Sequence, residues 1–362
     1  MPGDPGRGAP AAGGGAGASA RSDAVRAQAR ELGFELVGIT TPEPTDHLTF
    51  YRRWLAEGRH GEMGYLARPD AVERRGDLDA TLPGVRSVIV VGHEYYQEDP
   101  PDVPDDPSRG VIARYARGRD YHKVVKKKLI ALGKWLGGSC RAYVDTGPIL
   151  ERDLARRAGL GWFGKNTMLI HPKKGSYFFL GVLLTDVALE PDAPFAADHC
   201  GTCRACLDAC PTGALLGRDE DGAPVMDATR CISYLTIEHR GPIPHELAQL
   251  MGNRIYGCDI CQEVCPWNQR FARVAEERAY AARAAGDVPA GSRPAAHAAA
   301  GPAEAIPGTG GPRLADLAAM DEAAWDAYTR GSAIRRAGYE GFGRNVAIAS
   351  GNRFGPPFGV VT

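Results

Sequence analysis

The chain has 362 residues, which is long enough for two or three domains and a substantial hydrophobic core. Its 43 Lys and Arg nearly balance its 44 Asp and Glu, so the net charge of −1 gives no overall indication of a nucleic-acid partner. There is no run of eighteen apolar residues, and the first residues lack the apolar segment of a secretory signal. We therefore expect neither a membrane span nor export.

The N-terminal half alternates strand-like and helix-like patterns. Residues 1–21 are mostly Gly, Ala and Pro, which bury too little surface to offset the entropy of ordering, and we predict a disordered tail there. A helix then begins at Ser22 or Asp23 as its N-cap and ends at Gly33. Strands are predicted at 34–40, 87–91 and 141–144, and helices at 48–57 and 120–136. This alternation predicts an α/β domain over residues 22–195.

A hairpin is predicted near the end of that domain. Residues 167–170 and 177–185 flank a Pro-Lys-Lys-Gly turn, which favours a β-hairpin and some antiparallel pairing at that edge of the sheet. Residues 196–270 are predicted to form a ferredoxin-like α+β domain with an inserted helix near 245–251.

The C-terminal part divides into two segments. Residues 271–312 are rich in Ala, Gly, Pro and Arg, a composition typical of a low-complexity linker. Residues 313–362 are predicted to form a short helical segment, with helices at 314–328 and 333–349.

Eight of the nine cysteines fall into two related motifs. The first is Cys-x2-Cys-x2-Cys-x3-Cys-Pro from Cys200, the spacing of bacterial ferredoxins with two [4Fe–4S] clusters, in which the fourth cysteine ligates the other cluster. The second repeats it, but 26 residues separate Cys231 from the next cysteine, Cys258. We assign one cluster to Cys200, Cys203, Cys206 and Cys265, and the other to Cys210, Cys231, Cys258 and Cys261. This set predicts one-electron transfer.

Zinc and disulfides are the alternatives for these cysteines. Zinc ligands usually come as two separated pairs, often with His, which this spacing fits poorly. Disulfides need an oxidising compartment and do not explain the repeated spacing. Reduced cysteines that carry clusters place the protein in the cytoplasm. The ninth cysteine, Cys140, is interpreted as a small buried apolar residue without a role.

Asp145 follows the predicted strand 141–144 in the sequence Val-Asp-Thr-Gly-Pro. In an open α/β sheet the carboxyl ends of the strands line the ligand crevice, so Asp145 could donate a proton if a pocket of low dielectric raises its pKa. An Asp after a strand more often stabilises a turn or caps a helix, and the sequence alone favours that alternative. The loop 161–167 lacks phosphate-loop spacing, so we reject nucleotide binding there, although its backbone could wrap a flat cofactor.

Residues 114–128 form a basic strip with one acidic residue, Asp120. Four apolar residues within and just beyond it have the spacing of a buried helix face, namely Val125, Leu129, Leu132 and Leu136. A solvated helix face is the default interpretation. The alternative is a phosphate-contacting strip, with Tyr115 and Tyr121 close enough to stack on bases.

The insertion 232–257 interrupts a predicted cluster-binding loop, where an electron carrier gains nothing from extra residues. Loops on rigid scaffolds often hold substrates, so this insertion favours a substrate-binding function.

Five motifs together resemble the epoxyqueuosine reductase family, whose members act in queuosine synthesis on tRNA. They are Val144-Asp-Thr-Gly-Pro, Gly164-Lys-Asn, Cys231-Ile-Ser-Tyr-Leu-Thr, Gly252-Asn-Arg-Ile-Tyr-Gly-Cys-Asp-Ile-Cys-Gln and Cys265-Pro-Trp-Asn. The resemblance covers about residues 22–270 and continues in Ser332-Ala-Ile-Arg-Arg.

This resemblance implies two [4Fe–4S] clusters, a base-off cobalamin between the two domains, and removal of the epoxide oxygen at the wobble base of tRNA. It implies that Asp145 is the acid, which reverses the interpretation from sequence alone. Asn166, Thr167 and Ser233 lie in motifs that border the cobalamin. The implied tRNA contacts are Arg114, Arg117, Lys123, Lys127 and Arg240, the electron donor is a flavodoxin or ferredoxin, and the protein is expected to be a monomer away from membranes.

The chain departs from longer relatives in two places: it stops at Thr362 without C-terminal helical repeats, and the segment 272–312 is more extended. Two other functions compete with the reductase. One is an electron-transfer module that serves another enzyme, against which the extent of the match outside the cysteines argues. The other is a corrinoid reductase of another substrate, such as an organohalide enzyme, against which the missing export signal argues.

Overall fold

The structure is a computed structural model that describes residues 14–98, 106–282 and 311–352. Its α-helices are α1 (Gly14–Glu31), α2 (Leu48–Ala56), α3 (Pro69–Gly76), α4 (Tyr121–Leu136), α5 (Glu151–Arg157), α6 (Ala205–Asp208), α7 (Ile232–Ile237), α8 (His245–Leu250), α9 (Ile260–Glu263), α10 (Pro266–Phe271), α11 (Leu314–Ala318), α12 (Glu322–Thr329) and α13 (Gly338–Gly351). Within these ranges, no helix combines the length and apolarity needed to cross a bilayer.

The strands form one sheet of four and three short pairs. They are β1 (Leu36–Thr40), β2 (Ser87–Glu94), β3 (Val111–Ile112), β4 (Cys140–Tyr143), β5 (Trp162–Phe163), β6 (Leu169–Ile170), β7 (Phe178–Thr185), β8 (Leu215–Arg218), β9 (Pro224–Met226) and β10 (Arg254–Tyr256). The large sheet has the order β1-β2-β7-β4, and β3 pairs with β10, β5 with β6 and β8 with β9.

Helices cover both faces of the four-stranded sheet. Alternate residues of β2 point to opposite faces, so Ile89 packs in the core with α1 and α4 while Val88 packs in the core with α5. The apolar stripe predicted for α4 is buried as expected. Because both faces of the central strands are covered, their sequences are continuously apolar rather than alternating.

The predicted strands and helices of this domain are present, but the α/β class is wrong in one respect. Every neighbouring pair in the large sheet is antiparallel, as in the pairing of Ile39 with Ile89 and of Val90 with Val182. Alternation along the chain does not fix strand direction, since a connection that contains helices can return the chain to either edge. The domain is an antiparallel sheet between two helical layers.

The predicted hairpin is also wrong. The turn itself closes, since His171 and Gly175 form a β-bridge. However, β6 pairs with β5 while β7 lies in the large sheet between β2 and β4. The two arms therefore belong to different sheets, because the apolar arm 177–185 gains more burial between two helical layers.

The first helix begins earlier than predicted. It starts at Gly14 instead of Ser22, so only residues 1–13 of the predicted tail lie outside the described ranges. Ser22 lies inside the helix, where its Oγ donates to the Ala18 carbonyl and accepts from the backbone N–H of Glu190. The predicted end is confirmed, with Gly33 in the left-handed region at φ 86°.

The segment after α10 packs on the N-terminal domain instead of starting a linker at residue 271. Tyr280 is fully buried beside Phe179, and Glu277 forms an ion pair with Lys128 of α4 at 2.9 Å. Residues 283–310 of the predicted linker lie outside the described ranges.

The C-terminal helices pack on the cysteine-rich half. The predicted helix 314–328 is two helices, α11 and α12, and the predicted helix 333–349 is a 3-10 turn followed by α13. Buried Asn345 of α13 donates to the carbonyl oxygens of Thr236 and Ile255. The predicted helix near 245–251 is present as α8.

Candidate active site and cluster sites

Four cysteines surround one cavity of about 460 Å³. Cys200, Cys203 and Cys206 come from the loop around the start of α6, and Cys265 is the N-cap of α10. Cys265 is buried, whereas Cys203 is exposed. These are the four residues predicted to share a cluster.

The N-terminal domain holds this cysteine loop in place. The Trp162 indole N–H donates to Cys200 Sγ at 3.5 Å. Lys165 Nζ donates to the carbonyl oxygens of Gly201 at 2.7 Å and Cys203 at 2.9 Å. Hydrogen bonds to cluster sulfurs tune the reduction potential, so Trp162 is a residue that could do so here.

The other four cysteines form a second group, and all four are partly buried. Burial raises the pKa of Cys261 well above its ordinary value, and the charges of Cys258 and Cys231 raise it further. Burial and the neighbouring Cys210 likewise raise the pKa of Cys231. Cys206 of the first group also acts on Cys261, so the two groups are neighbours. Metal binding would release these thiol protons.

All nine cysteines are free thiols. Among the described residues, no three His, Cys, Asp or Glu side chains lie close enough to bind a single metal ion directly. The first group stands instead around the rim of a cavity.

A second cavity, of about 290 Å³, lies between the N-terminal domain and β9. We call it the Asp145 cavity. Its lining includes aromatic and aliphatic side chains, namely Phe50, Tyr51, Trp54, Leu66, Ile149, Leu150, Phe163 and Met226. It also includes polar side chains, namely His47, Arg75, Asp145, Glu151, Arg152, Asp153 and Thr167. A mostly apolar cavity with a few converging polar groups is typical of a cofactor or substrate site.

Two residues of this cavity have unusual backbones. Asp145 has φ 59° and Thr167 has φ 65°, and among the described residues no other non-glycine residue has a positive φ. This conformation is strained, most of all for β-branched Thr. Strain of this kind concentrates at functional sites, so both residues point to the same site.

Asp145 is held by several neighbours. Its Oδ2 accepts from the Tyr121 hydroxyl at 2.8 Å and lies 3.4 Å from His122 Nε2. Its backbone N–H donates to the Glu151 carboxylate. The side chain is 65% exposed, so it faces the open part of the cavity.

A raised pKa, the condition under which the sequence suggested Asp145 as a proton donor, is not found in the structure. Desolvation in the cavity wall acts to raise the pKa, but hydrogen bonds from His122 and Tyr121 outweigh it and hold the pKa below its ordinary value. The nearby Glu151 shows the opposite shift, since burial and the Asp145 charge raise its pKa. Asp145 is therefore the carboxyl of the pair that ionises first.

A second acid–histidine pair lines the same cavity. His47 Nδ1 lies 2.6 Å from Oδ1 of the buried Asp153. Burial acts to raise the pKa of Asp153, but hydrogen bonds from His47 and Thr45 lower it. Asp153 Oδ2 is buried without a hydrogen-bond partner in the described structure. This pair orients the His47 ring at the cavity wall.

The other predicted cofactor residues are divided between the sites. Thr167 lines the Asp145 cavity, and its Oγ1 is buried without a hydrogen-bond partner in the described structure. Asn166 instead lines the cysteine cavity, where its Nδ2 donates to the Cys261 carbonyl. The backbone N–H of Ser233 points to Cys231 Sγ, so Ser233 also lies beside cysteines rather than at the Asp145 cavity.

The predicted tRNA-contact residues also divide. Arg114 is buried, with its guanidinium 2.6 Å from Glu263 and 3.4 Å from Asp259, so its prediction as a surface contact is wrong. Arg117 donates to the Ile112 carbonyl and Arg240 to carbonyls near Ala337, and both are partly engaged in the fold. The two predicted lysines, Lys123 and Lys127 of α4, are exposed.

Four residues of this site, two beside Asp145 and two that line the cavity, were not predicted from the sequence to lie there. Tyr121 and His122 were inside the basic strip, where Tyr121 was considered only for stacking on bases. His47 and Asp153 carried no motif. The sequence feature that could have indicated the contacts of Tyr121 and His122 is the run Asp120-Tyr121-His122 at the start of a predicted helix.

Comparisons with known proteins agree with this geometry. Residues 199–268 match a 4Fe–4S double cluster binding domain, and residues 75–146 match the family model described as Epoxyqueuosine reductase QueG, DUF1730. An epoxyqueuosine reductase of Pseudomonas aeruginosa is 40% identical over 91% of this chain and 85% of that protein. The Escherichia coli enzyme is 41% identical over 89% of this chain and 78% of its own length.

Solved structures give the same result. A crystal structure of epoxyqueuosine reductase with an epoxyqueuosine-modified tRNA-Tyr stem loop has a TM-score of 0.73 at 29% identity, covering 91% of this chain and 81% of the other. A Bacillus subtilis structure, in which a catalytic loop named for an aspartate is swung out of the active site, has a TM-score of 0.71 at 28% identity, with coverages of 91% and 81%.

The fold and the double cluster domain define an iron–sulfur oxidoreductase. At 40% identity over most of both sequences, the chain belongs to the epoxyqueuosine reductase family.

Proposed function

We propose that this protein reduces epoxyqueuosine to queuosine at the wobble position of tRNA, using a base-off cobalamin and two [4Fe–4S] clusters. The observation that carries the proposal is the Asp145 cavity, where two strained residues meet on a wall beside the cysteine-rich domain. The reaction takes two electrons and two protons: both C–O bonds of the epoxide break, a C=C bond forms, and the oxygen leaves as water.

The residues of the Asp145 cavity fit a large flat cofactor. Its aromatic and aliphatic side chains suit a ring system, and the buried Thr167 Oγ1, which has no hydrogen-bond partner in the described structure, suits a polar group of the cofactor. When bound, a cobalamin would supply a strongly reducing cobalt at the epoxide-bearing ring. The loop 163–167 contributes Phe163 and Thr167 to this cavity and Lys165 and Asn166 to the cysteine cavity, so it separates the two sites.

We assign the two clusters as the cysteine spacing predicts: Cys200, Cys203, Cys206 and Cys265 to one, and Cys210, Cys231, Cys258 and Cys261 to the other. Clusters of this type span about −700 to +450 mV, which includes the potentials needed to reduce cobalamin. Because Cys203 is the exposed one of these eight cysteines, we infer that a flavodoxin or ferredoxin delivers electrons at the first cluster.

Asp145 is the proposed proton donor to the departing oxygen. Its side chain faces the cavity, and its backbone conformation brings it there. The relative from Bacillus subtilis, in which a catalytic loop named for an aspartate is swung out of the active site, supports this role.

The tRNA is proposed to contact the exposed lysines Lys123 and Lys127. They lie on α4, the helix that also supplies Tyr121 to Asp145, so a tRNA bound there would extend to the cavity. The relative solved with a tRNA stem loop supports this partner. Arg114 is excluded from the proposed contacts by its burial. We further propose a monomer in the cytoplasm.

The function is tested by anaerobic reconstitution with iron, sulfide and cobalamin, followed by nucleoside analysis of treated epoxyqueuosine-tRNA. We expect conversion to queuosine under a strong reductant. The Asp145→Asn variant should keep its clusters and bound cobalamin, measured by absorbance, yet lose 10²- to 10⁴-fold in rate, on the order of a general acid's contribution. Undiminished turnover in that variant would remove Asp145 from the mechanism, and failure of the metallated wild type to bind cobalamin would contradict the whole proposal.

A further inference from the structure

The proposed reaction consumes two protons, and Asp145 can deliver one before it must be protonated again. The surroundings of Asp145 favour its carboxylate, since Tyr121 and His122 direct their hydrogens at Oδ2. A second group must therefore protonate Asp145. The inference below rests on the proposed function.

A chain of side chains leads from Asp145 to the start of α4. His122 Nε2 lies 3.4 Å from Asp145 Oδ2, and His122 Nδ1 lies 2.7 Å from Asp120 Oδ1. Both ring nitrogens thus face a carboxylate, which favours the doubly protonated ring. Burial acts to lower the pKa of His122, but the hydrogen bonds and charges of Asp120 and Asp145 outweigh it and raise the pKa to about 9.

Asp120 is held in position for this role by the helix. It is the N-cap of α4, and its Oδ1 also accepts the backbone N–H of His122 at 3.1 Å. The side chains of His122 and Asp120 are 27% and 19% exposed, so water can reach the outer end of the chain. Neither residue lines the Asp145 cavity, so both act through Asp145.

Other titratable or charged groups near Asp145 are poorly suited to supply the proton. The Tyr121 ring stacks on His122 at 4.0 Å, and burial together with Asp145 raises its pKa far above neutrality, so it retains its proton. Arg152 of α5 does not deprotonate in proteins. Glu151, whose pKa burial and the Asp145 charge raise to about 8, contacts the backbone N–H of Asp145 and not its side chain, so it has no direct path to Oδ2. Tyr115 is packed against Tyr121, and burial raises its pKa well above the ordinary value, so it also retains its proton.

We propose that His122 is a proton-supplying positioning residue: its Nε2–H passes a proton to Asp145 Oδ2, and Asp120 keeps the ring oriented and doubly protonated. In this step the Nε2–H bond breaks and an O–H bond forms on Asp145, and water returns a proton to the ring. No electrons move in the step.

The sign of the pH dependence follows from the His122 proton. A raised pKa means that the proton is present below about pH 9 and is lost as the pH rises through that value. For enzyme that holds its clusters and cobalamin, the single-turnover rate with epoxyqueuosine-tRNA should therefore be constant near neutral pH and fall above about pH 9.

Asp120→Asn is the decisive variant. Asn caps a helix as well as Asp, so α4 should remain folded, whereas the charge that holds the His122 proton is lost. We expect the alkaline fall in rate to move down by one pH unit or more. His122→Gln should slow the reaction at neutral pH by at least tenfold, while His245→Gln, at an exposed position on α8, should leave the rate and profile unchanged.

A measurement without turnover separates this inference from the proposed function. In the metallated protein with isotope-labelled histidine, NMR should show His122 titrating near pH 9 in the wild type and at lower pH in Asp120→Asn. A wild-type His122 that titrates near 6.5, or an Asp120→Asn alkaline limb that does not move, would overturn the inference. If instead the wild type fails to convert epoxyqueuosine, the proposed function fails, and the NMR titration still decides whether His122 holds the proton.

Discussion

At the scale of single residues, the backbone of Asp145 connects sequence to chemistry. Its φ of 59° lies in a region that Asp and Asn tolerate better than other side chains, because their short polar groups can bond locally. The strain is offset by the contacts of the side chain with Tyr121 and His122. An aspartate at position 145 therefore suits both the left-handed turn and the proposed proton transfer.

Comparing two substitutions of Asp145 separates these roles. Asp145→Asn keeps a side chain that accepts the left-handed conformation, so we expect little change in the free energy of unfolding. Asp145→Ala should lower that free energy by about 1–2 kcal/mol, since the strain is no longer offset. Urea unfolding of the two variants measures the difference, and equal stability would show that the conformation carries no cost.

At the scale of elements, α4 joins core, site and surface in one helix. Its apolar stripe packs on the sheet, its N-cap Asp120 begins the chain of side chains toward Asp145, and Lys123 and Lys127 lie on its exposed side. The 3.6-residue period separates these faces, so one helix can serve all three without conflict. Part of the basic strip is therefore a solvent-exposed helix face, and another part contacts Asp145.

The lysines of α4 give a test of the proposed tRNA contact. Replacing both Lys123 and Lys127 with Ala should weaken binding of the tRNA and reduce the slope of log K against log salt by about 0.7–0.9 for each lost phosphate contact. Lys134→Ala, at an exposed position near the other end of α4, is the matched control and should leave the slope unchanged. Equal salt slopes for the double variant and the wild type would place the tRNA elsewhere.

At the scale of the whole molecule, Arg114 ties the N-terminal domain to the cysteine-rich domain. Its guanidinium lies over the neighbouring rings of Tyr96 and Tyr177 and pairs with Asp259 and Glu263, the N-cap and the last residue of α9. Burial raises the pKa of Asp259, and Arg114 acts to lower it. The ion pair thus holds a cysteine loop against the sheet domain.

Removing this cation should expose the cost of a buried, unpaired carboxylate. Arg114→Met is expected to destabilise the protein by about 3–5 kcal/mol and to lower the iron content after reconstitution. Adding Asp259→Asn to that variant should recover part of the loss, because the uncompensated charge is then gone. Thermal unfolding and iron analysis check both, and a double variant no more stable than the single one would contradict the assignment.

The spacing of the sequence by itself determined the local features of this protein: the cysteine motifs, the buried stripe of α4, and the positions of the main strands. These depend on residues close together in the chain, where geometry follows directly from spacing. The tertiary structure alone decided that the sheet is antiparallel, that Arg114 is buried, and that His122 and Tyr121 hold the pKa of Asp145 below its ordinary value. Each of these depends on residues that are distant in sequence. Long-range packing brings such residues together, and no local sequence pattern predicts their contact.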